Sequence, residues 1–308
     1  MINNPPLVSI VIVTRDRPND VLRAVESCLT QEYERLEVFV YEDASEISVE
    51  PQLSEQFPSV HFERSEVQSG PTGLRDRGIR QANGEFVFSF DDDAYFTDKL
   101  AIAKVVQQFA SDELIGAIAL PLVEPSRYPH GNGGLEPDGT GSGRQIRSFI
   151  GACVAYRRKT FLEIGGVKDC YAHFQGDEND VAIRLLERGY RVELGGTEPV
   201  VHTVSPVRDL AFRFRHDCRS ALLFDYVNVP FPQVIPAIVG HAIKLFSYKL
   251  SRKTLRNRIV SVSLGLWACV RFAHYRRPVS GTTYRKYRQL PSQGILAASA
   301  LTQETKET

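Results

Sequence analysis

The feature that most restricts the fold of this chain is an apolar run near its start. Residues 7–14 read Leu-Val-Ser-Ile-Val-Ile-Val-Thr and are dominated by β-branched side chains. Strands buried on both faces of a parallel sheet have this composition, whereas a strand with one solvated face alternates apolar and polar residues. The run therefore predicts a central strand of a parallel sheet.

Segments typical of strands and helices alternate after this run. Pro18 suits a first helical turn, and apolar residues follow it at helical spacing up to about Gln31. Further strands are predicted at Leu36–Tyr41, Val60–Glu63, Glu85–Phe90 and Ile115–Leu120. Helices are predicted at Gly73–Ala82 and from a cap at Thr97 or Asp98 to Phe109. This succession predicts a doubly wound α/β domain.

The middle of the chain contains a stretch rich in glycine and proline, residues 125–143, which predicts a mobile loop that serves as a lid or an acceptor loop. Ordered structure is expected to resume at Ile146–Tyr156. Helices are predicted near Thr160 and at Glu178–Arg188, and a strand is predicted near Val200.

A change of character near residue 205 predicts a second region. The strand alternation ends there, prolines interrupt the chain, and helices are predicted at Leu210–Tyr226, Val234–Lys249 and Leu255–Ala273. We therefore expect an α/β domain over residues 1–205 and a mainly helical extension over residues 206–308. The longest apolar run of the extension, Ile259–Val270, is shorter than the roughly 20 residues that cross a bilayer.

The charges are distributed unevenly although the chain has no net charge. Residues 208–290 contain sixteen Lys and Arg but three Asp, an excess of 13 positive charges, so the rest of the chain is acidic. A basic extension predicts contact with an anionic surface; a solvated helical cap or a dimer surface is the alternative. No nucleic acid is expected as a partner, because stacking aromatics on a recognisable module are absent from the sequence.

Cysteine usage favours a reduced, cytoplasmic environment. The five cysteines are odd in number and scattered, and they form no CxxC pair or Cys/His metal signature. The first residues lack the positive region of a signal peptide. We expect a cytoplasmic protein, with residues 206–290 as a candidate peripheral contact on the inner face of the membrane.

Three consecutive aspartates follow an apolar strand at Asp91, Asp92 and Asp93. Because side chains alternate along an extended segment, Asp91 and Asp93 project to the same side and can serve one site. Their repulsion favours a cation, and carboxylate oxygens suit Mg²⁺ or Mn²⁺. A solvated acidic turn that caps the next helix is the alternative.

A second acidic cluster opens a predicted helix at Asp177, Glu178 and Asp180. Asp177 or Glu178 can act as a general base toward a hydroxyl group. The alternative is a helix start with acids favoured by the dipole, together with an Asp180–Arg184 pair.

Isolated polar residues at other strand ends are weaker candidates. Glu42 and Asp43 can accept hydrogen bonds from a base or ribose, or simply form a turn. His202 is a candidate metal ligand or phosphate contact, or a satisfied histidine of the core or surface. Arg15, Arg75 and Arg77 are placed to meet phosphate, although salt bridges on a helix face explain Arg75 and Arg77 equally well. The sequence lacks GxGxxG after the first strand, GxxxxGK[ST], GxSxG and HExxH, which disfavours dinucleotide oxidoreductases, P-loop enzymes, serine hydrolases and zincins.

Taken in order, these motifs resemble the inverting family 2 glycosyltransferases of the GT-A fold over about Leu7–Thr203. The opening strand through Pro18 is similar to the family's first strand and its Thr-Tyr-Asn-Arg turn. Glu42-Asp43-Ala44-Ser45 resembles Asp-Asp-Gly-Ser, and residues 73–78 resemble Ala-Arg-Asn-x-Gly, with Asp76 where Asn is usual. The aspartate triplet resembles DxD, and residues 151–166 resemble an acceptor-side segment that ends in two glycines. Residues 177–184 resemble Glu-Asp-x-Asp-x-x-x-Arg with the first two acids exchanged.

The resemblance implies roles for individual residues. Asp93, Asp91 and His202 would bind Mn²⁺ or Mg²⁺, and Asp177 or Glu178 would be the catalytic base. The residues that would bind the donor are Thr14, Arg15, Asp43, Arg75, Asp91 and Asp92. The fold implied is a Rossmann-like mixed sheet flanked by helices.

The activity implied is metal-dependent, inverting transfer of a hexosyl or deoxyhexosyl group. The donor would be a nucleoside-diphosphate sugar, a UDP- or dTDP-sugar first of all. The acceptor would be a hydroxyl group of a glycan or lipid-linked molecule in cell-surface polysaccharide synthesis. The exchanged acids and Asp76 keep one alternative open, a non-catalytic protein of the same fold that binds a nucleotide or polysaccharide.

Overall fold

A mixed eight-stranded sheet forms the centre of the molecule. The computed structural model describes residues 4–131, 143–171, 176–203, 210–246 and 252–301. The strands of the large sheet are β1 Val8–Thr14, β2 Leu36–Asp43, β3 His61–Ser65, β4 Phe86–Asp91, β6 Ile115–Ala119, β8 Gln145–Ile146, β9 Cys153–Arg157 and β10 Arg191–Leu194. Their order across the sheet is β3-β2-β1-β4-β9-β6-β10-β8. A smaller sheet joins β5 Ala94–Tyr95, β11 Val200–His202 and β7 Leu122–Val123, in that order.

Helices cover the large sheet. Those of the first two thirds of the chain are α1 Pro18–Leu29, α2 Glu50–Gln56, α3 Pro71–Gln81, α4 Ala101–Ser111, α5 Arg158–Glu163 and α6 Asp177–Glu187. Strand β1 is buried along its whole length and pairs in parallel with β2 and β4. The prediction of a central first strand in an α/β domain is confirmed.

The ordered segment predicted at Ile146–Tyr156 contributes two separate strands. Strand β8 lies at the edge of the sheet beside β10, whereas β9 runs antiparallel between β4 and β6. The chain turns at Gly151, where a Cβ atom would lie only 2.9 Å from Glu178 Oε1. The turn places residues 148–152 along the cavity described below.

The described residues beyond 209 are mainly helical. They contain α7 Leu210–Asn228, α8 Val234–Phe246, α9 Arg252–Arg271 and α10 Gly281–Gln289, of which the sequence analysis did not predict α10. Helices α7 and α9 approach closely at Gly265, where a Cβ would lie 2.5 Å from Leu222 Cδ1. Beyond α10, Gln293 Nε2 donates to the Leu120 carbonyl oxygen at 2.6 Å, which ties the end of the chain to the large sheet.

Two sequence-based expectations fall partly outside the described residues. The predicted loop at 125–143 is described only for 125–131 and 143, and the predicted boundary at 205/206 lies within the undescribed segment 204–209. The five cysteines are buried free thiols. Among the described helices, none has the length and hydrophobicity needed to cross a membrane.

Candidate active site

A cavity of about 1190 Å³ opens at the carboxyl ends of the parallel strands β1, β2 and β4. Ligands of open α/β sheets bind at this edge, because the loops that leave the strands converge there. All ten site residues predicted from the sequence line the cavity: Thr14, Arg15, Asp43, Arg75, Asp91, Asp92, Asp93, Asp177, Glu178 and His202.

Two acids and a histidine form a cluster on one side of this cavity. Asp91 ends β4, and the pairing of β11 with β5 sets His202 opposite Ala94, directly after Asp93. His202 Nε2 lies 3.1 Å from Asp93 Oδ1 and 3.7 Å from Asp91 Oδ2. One ligand atom from each residue falls within 4.8 Å of the others. Oxygen and imidazole ligands at this spacing can hold a divalent cation.

Glu124 orients the histidine of this cluster. Its Oε1 lies 2.9 Å from His202 Nδ1, and because an ionised carboxylate only accepts, Nδ1 donates to it. Nε2 is then left facing Asp91 and Asp93, buried and with no hydrogen-bond partner. A histidine held by a carboxylate on its far nitrogen is the usual arrangement of a metal ligand, so these residues fit Mn²⁺ or Mg²⁺.

The same contacts set the charge of the cluster when no ion is bound. Burial alone would lower the pKa of His202, but the carboxylates of Asp93 and Glu124 outweigh burial and raise that pKa to about 9. A protonated His202 then offsets part of the repulsion among the acids. A cation that binds through Nε2 must displace this proton.

Asp92 binds Thr14 and Arg17, at and just beyond the end of β1. Its Oδ2 accepts from Thr14 Oγ1 at 2.8 Å, and Arg17 Nη1 lies 3.0 Å from both Asp92 Oδ1 and Asp93 Oδ2. Burial raises the pKa of Asp92 to about 6 despite the neighbouring Arg17. Thr14 and Arg17 therefore hold the acidic turn to the end of β1. The sequence analysis did not single out Arg17.

Asp43 and Glu42 bind backbone amides of the loops beside them. Asp43 accepts from the amides of Ser69 at 2.7 Å and Gly70 at 3.0 Å, directly before α3. Glu42 is buried and accepts from the Val49 amide at 2.9 Å. Of the two acids only Asp43 lines the cavity.

The three arginines proposed for phosphate binding differ in position. Arg75, on α3, forms an ion pair with Asp91 and is also attracted by the charges of Asp177 and Glu178. Arg15 is half exposed at the cavity and lies 3.3 Å from Asp16. Arg77 pairs with Glu63 on the exposed face of α3 and does not line the cavity, which bears out the salt-bridge alternative.

The start of α6 places two carboxyl groups across the cavity from the metal cluster. Gly176 has a φ of +114°, a conformation that glycine adopts readily, and the helix begins at the next residue. Glu178 Oε2 accepts from the Gly176 amide at 3.1 Å. Burial, and next the charge of Glu178, raise the pKa of Asp177 well above its usual range despite Arg75. The surroundings of Asp177 therefore favour its protonated form more than those of an exposed aspartate would.

Asp180 has a structural role in the same helix. It is fully buried, and its carboxylate binds Lys168 Nζ at 2.8 Å, Arg184 Nε at 2.6 Å and Asn228 Nδ2 at 2.9 Å. The Asp180–Arg184 pair predicted from the sequence is confirmed. Because Asn228 lies on α7, the contact also joins α6 to the extension.

The extension contributes a wall of the cavity that the sequence analysis did not predict. The lining residues from α7, α8 and α10 include His216, Ser220, Phe224, Asp225, Gly240, His241, Lys244, Tyr287 and Arg288. Asp225 is buried and forms a hydrogen bond with His241 across the gap between α7 and α8. No pattern in the sequence pairs these helices, so the wall could not be found without the fold.

Comparison with known proteins places this chain in a family. Residues 9–165, half of the chain, match the profile described as Glycosyl transferase family 2. An uncharacterized glycosyltransferase of Haemophilus influenzae is 25% identical over 243 residues, which cover 77% of this chain and 78% of that protein.

Two further relatives carry more specific descriptions. The GalNAc(5)-diNAcBac-PP-undecaprenol beta-1,3-glucosyltransferase of Campylobacter jejuni is 32% identical over 92 residues, which span only 29% of this chain and 30% of that protein. Among solved structures, the mannosyltransferase PcManGT from Pyrobaculum calidifontis, in complex with GDP-Man and Mn²⁺, has a TM-score of 0.59 at 17% identity. The match covers 93% of this chain and 80% of that one. The fold is thus the GT-A fold expected from the sequence.

Proposed function

This chain belongs to glycosyl transferase family 2, and on that premise we propose that it transfers a sugar from a nucleoside-diphosphate sugar to a hydroxyl group of a glycan or lipid-linked acceptor. One observation carries the proposal: a cluster with metal-ligating geometry and a pair of carboxyl groups line the same cavity and are linked by Arg75. Such a site brings together what leaving-group stabilisation and proton removal require.

The donor would bind on the side of β1, β2 and α3. Asp91, Asp93 and His202 would hold Mn²⁺ or Mg²⁺, and the ion would supply positive charge to the departing diphosphate. Arg75 and Arg15 would add charge at the same edge, and Asp43, at the end of β2, would contact the base or ribose. A UDP- or dTDP-sugar is the donor we expect first, and the PcManGT complex adds GDP-sugars to those worth testing.

The acceptor hydroxyl would lose its proton to Glu178. Burial raises the pKa of Asp177 and so disfavours its charged form, whereas Glu178 is the less buried of the two and the more accessible to an acceptor hydroxyl. A hydroxyl activated in this way attacks the anomeric carbon from the face opposite the leaving group, and a single displacement inverts the configuration. Asp177 then acts as the hydrogen-bonding partner that holds Glu178 in place.

Release of nucleoside diphosphate tests this function. Wild-type protein would be incubated with UDP-, dTDP- and GDP-sugars and a panel of glycan and lipid-linked acceptors, with Mn²⁺ or with EDTA. We expect turnover with one nucleotide, dependent on the metal and reduced at least 100-fold in Asp93→Asn. The matched control Asp20→Asn changes an exposed aspartate outside the cavity and should retain full activity. If the protein binds a nucleotide but none of these donors, acceptors and metal conditions gives turnover, the non-catalytic alternative is favoured.

A further inference from the structure

Helix α8 presents different surfaces on its two sides. One side lines the catalytic cavity through Pro236, Ala237, Gly240, His241 and Lys244. The opposite side, about half a turn away, carries Ile238, Val239, Ala242 and Ile243, which line a second cavity of about 550 Å³. A single helix thus separates the catalytic cavity from a second, entirely apolar one.

This second cavity is a groove between α7, α8 and α9. The residues around it are Leu222, Ile238, Val239, Ala242, Ile243, Val262 and Leu266, all with aliphatic side chains. Large apolar side chains on and next to α8 and α9 continue onto the surface and are exposed: Phe231, Ile235, Val239, Ile243, Ile259, Leu266, Trp267 and Val270. We call these eight residues the α8–α9 surface. Single exposed apolar residues are ordinary, but a continuous group of this kind marks an interaction site.

The charged residues of helices α8 and α9 are of one sign. From Tyr226 to Gln303 the sequence contains twelve Lys and Arg and neither Asp nor Glu. Asp225, which precedes this stretch on α7, is buried and bonds His241 on the cavity side of α8. On α9, Arg256 begins the stripe that continues through Ile259, Leu266 and Val270, and it is exposed. An apolar face on two helices that carry only positive charge is complementary to anionic lipid, whereas a second copy of this chain would bring two basic surfaces together.

We propose that the α8–α9 surface docks on an anionic phospholipid bilayer. The aliphatic side chains would enter the boundary between headgroups and acyl chains, while Arg256 and Arg271 would meet the lipid phosphates. Since α8 is a wall of both cavities, docking would set the acceptor side of the catalytic cavity next to the membrane. An acceptor carried by a membrane lipid would then reach Glu178 from the bilayer. This part of the inference rests on the proposed function.

Trp267 provides a direct test because it is the only tryptophan of the chain and is 58% exposed. Its fluorescence would be recorded for the full chain with vesicles of phosphatidylcholine alone and of phosphatidylcholine with phosphatidylglycerol. We expect a blue shift and quenching by lipids brominated on their acyl chains, with anionic vesicles only, and weakening as salt is raised. An unchanged spectrum with anionic vesicles would overturn the proposal.

Two variants distinguish docking through the α8–α9 surface from nonspecific binding to vesicles. Ile243→Asp introduces a charge at an exposed position of the α8–α9 surface and should weaken vesicle binding at least tenfold without changing the thermal unfolding temperature. Val67→Asp changes an apolar residue near α3 that is at least as exposed, and this variant should bind as wild type. Equal binding by the two variants would contradict the proposal. So would a blue shift that depends on protein concentration without vesicles, because it would show a second copy on this surface.

The catalytic proposal and the docking proposal can fail separately. Glu178→Gln, which we expect to be inactive, should bind anionic vesicles as tightly as wild type. A protein that binds vesicles but transfers no sugar would refute the proposed function alone. A protein that transfers sugar and ignores vesicles would refute the docking proposal alone.

Discussion

Two adjacent carboxyl groups at the start of α6 differ in what surrounds them. Asp177 is buried, and its pKa is raised, whereas Glu178 reaches toward the turn at Gly151. Sequence reasoning could place both at a helix start but could not separate them, because burial depends on how α6 packs against the sheet. The structure therefore adds a difference in environment to a pair that the sequence had left open.

We predict that the two positions respond differently to isosteric substitution. Glu178→Gln removes the proposed base and should lower kcat by about 100-fold or more, the usual range for a lost general base. Asp177→Asn keeps a hydrogen-bond donor beside Glu178 and should retain most of the activity. Steady-state kinetics with saturating donor would measure both. The reverse ranking would identify Asp177 as the base.

The affinity for the metal should depend on pH through His202. Because the pKa of His202 is about 9 without the ion, Mn²⁺ must displace a proton throughout the neutral range. We expect Mn²⁺ affinity, measured by calorimetry, to rise about tenfold per pH unit between pH 6 and 8. In His202→Gln this dependence should vanish. Glu124→Gln should cost about 10- to 100-fold in affinity, as for other residues that orient a metal-binding histidine.

At the scale of helices and strands, sequence patterns predict the elements that form through interactions between neighbouring residues. Strands β1 and β4 were predicted because unbroken apolar runs require burial on both faces. Helix α10 was missed because it is only nine residues long and has just two buried side chains, Tyr284 and Tyr287. Glu124 was missed because it follows a strand of only two residues, β7, whose pairing partner β11 lies about 80 residues further along the chain.

Helix α6 should depend strongly on Asp180. Asp180→Ala would leave Lys168 and Arg184 buried without a counter-charge, and breaking a buried pair costs about 3–5 kcal/mol. Urea unfolding would measure the loss. Asp20→Ala, which removes an exposed pair with Arg23, should change the free energy of unfolding by less than about 0.5 kcal/mol. Similar values for the two variants would show that the Asp180 contacts contribute little.

The packing of α7 on α9 gives a second stability test. A Cβ at Gly265 would meet Leu222 at 2.5 Å, so Gly265→Ala should destabilise the protein by about 1–3 kcal/mol through overpacking. Gly240, also within a helix, has nothing within 4 Å of a Cβ, and Gly240→Ala should be neutral or stabilise by up to about 1 kcal/mol. Thermal unfolding of the matched pair would measure both, and a stable Gly265→Ala would contradict the close approach.

At the scale of the whole molecule, the order of the sequence motifs was sufficient to predict which residues lie together on one side of the cavity. The carboxyl ends of parallel strands meet at one edge, so residues such as Asp43 and Asp91 could be placed together from the sequence. The opposite wall could not be predicted from the sequence. It depends on the Asp225–His241 contact, which joins two helices whose relative position is fixed only by tertiary packing. That wall is also where acceptor specificity would reside.

The most direct test of the central claim is thermal unfolding with UDP, dTDP, GDP and CMP, each with and without Mn²⁺. A ligand at about 100 times its Kd stabilises the folded state by about 2.7 kcal/mol. We predict a rise in Tm with one nucleoside diphosphate that requires Mn²⁺ and disappears in Asp93→Asn. A Tm unchanged by every nucleotide, or a rise that persists in Asp93→Asn, would contradict the claim that this cavity binds a nucleoside-diphosphate sugar through the Asp91–Asp93–His202 cluster.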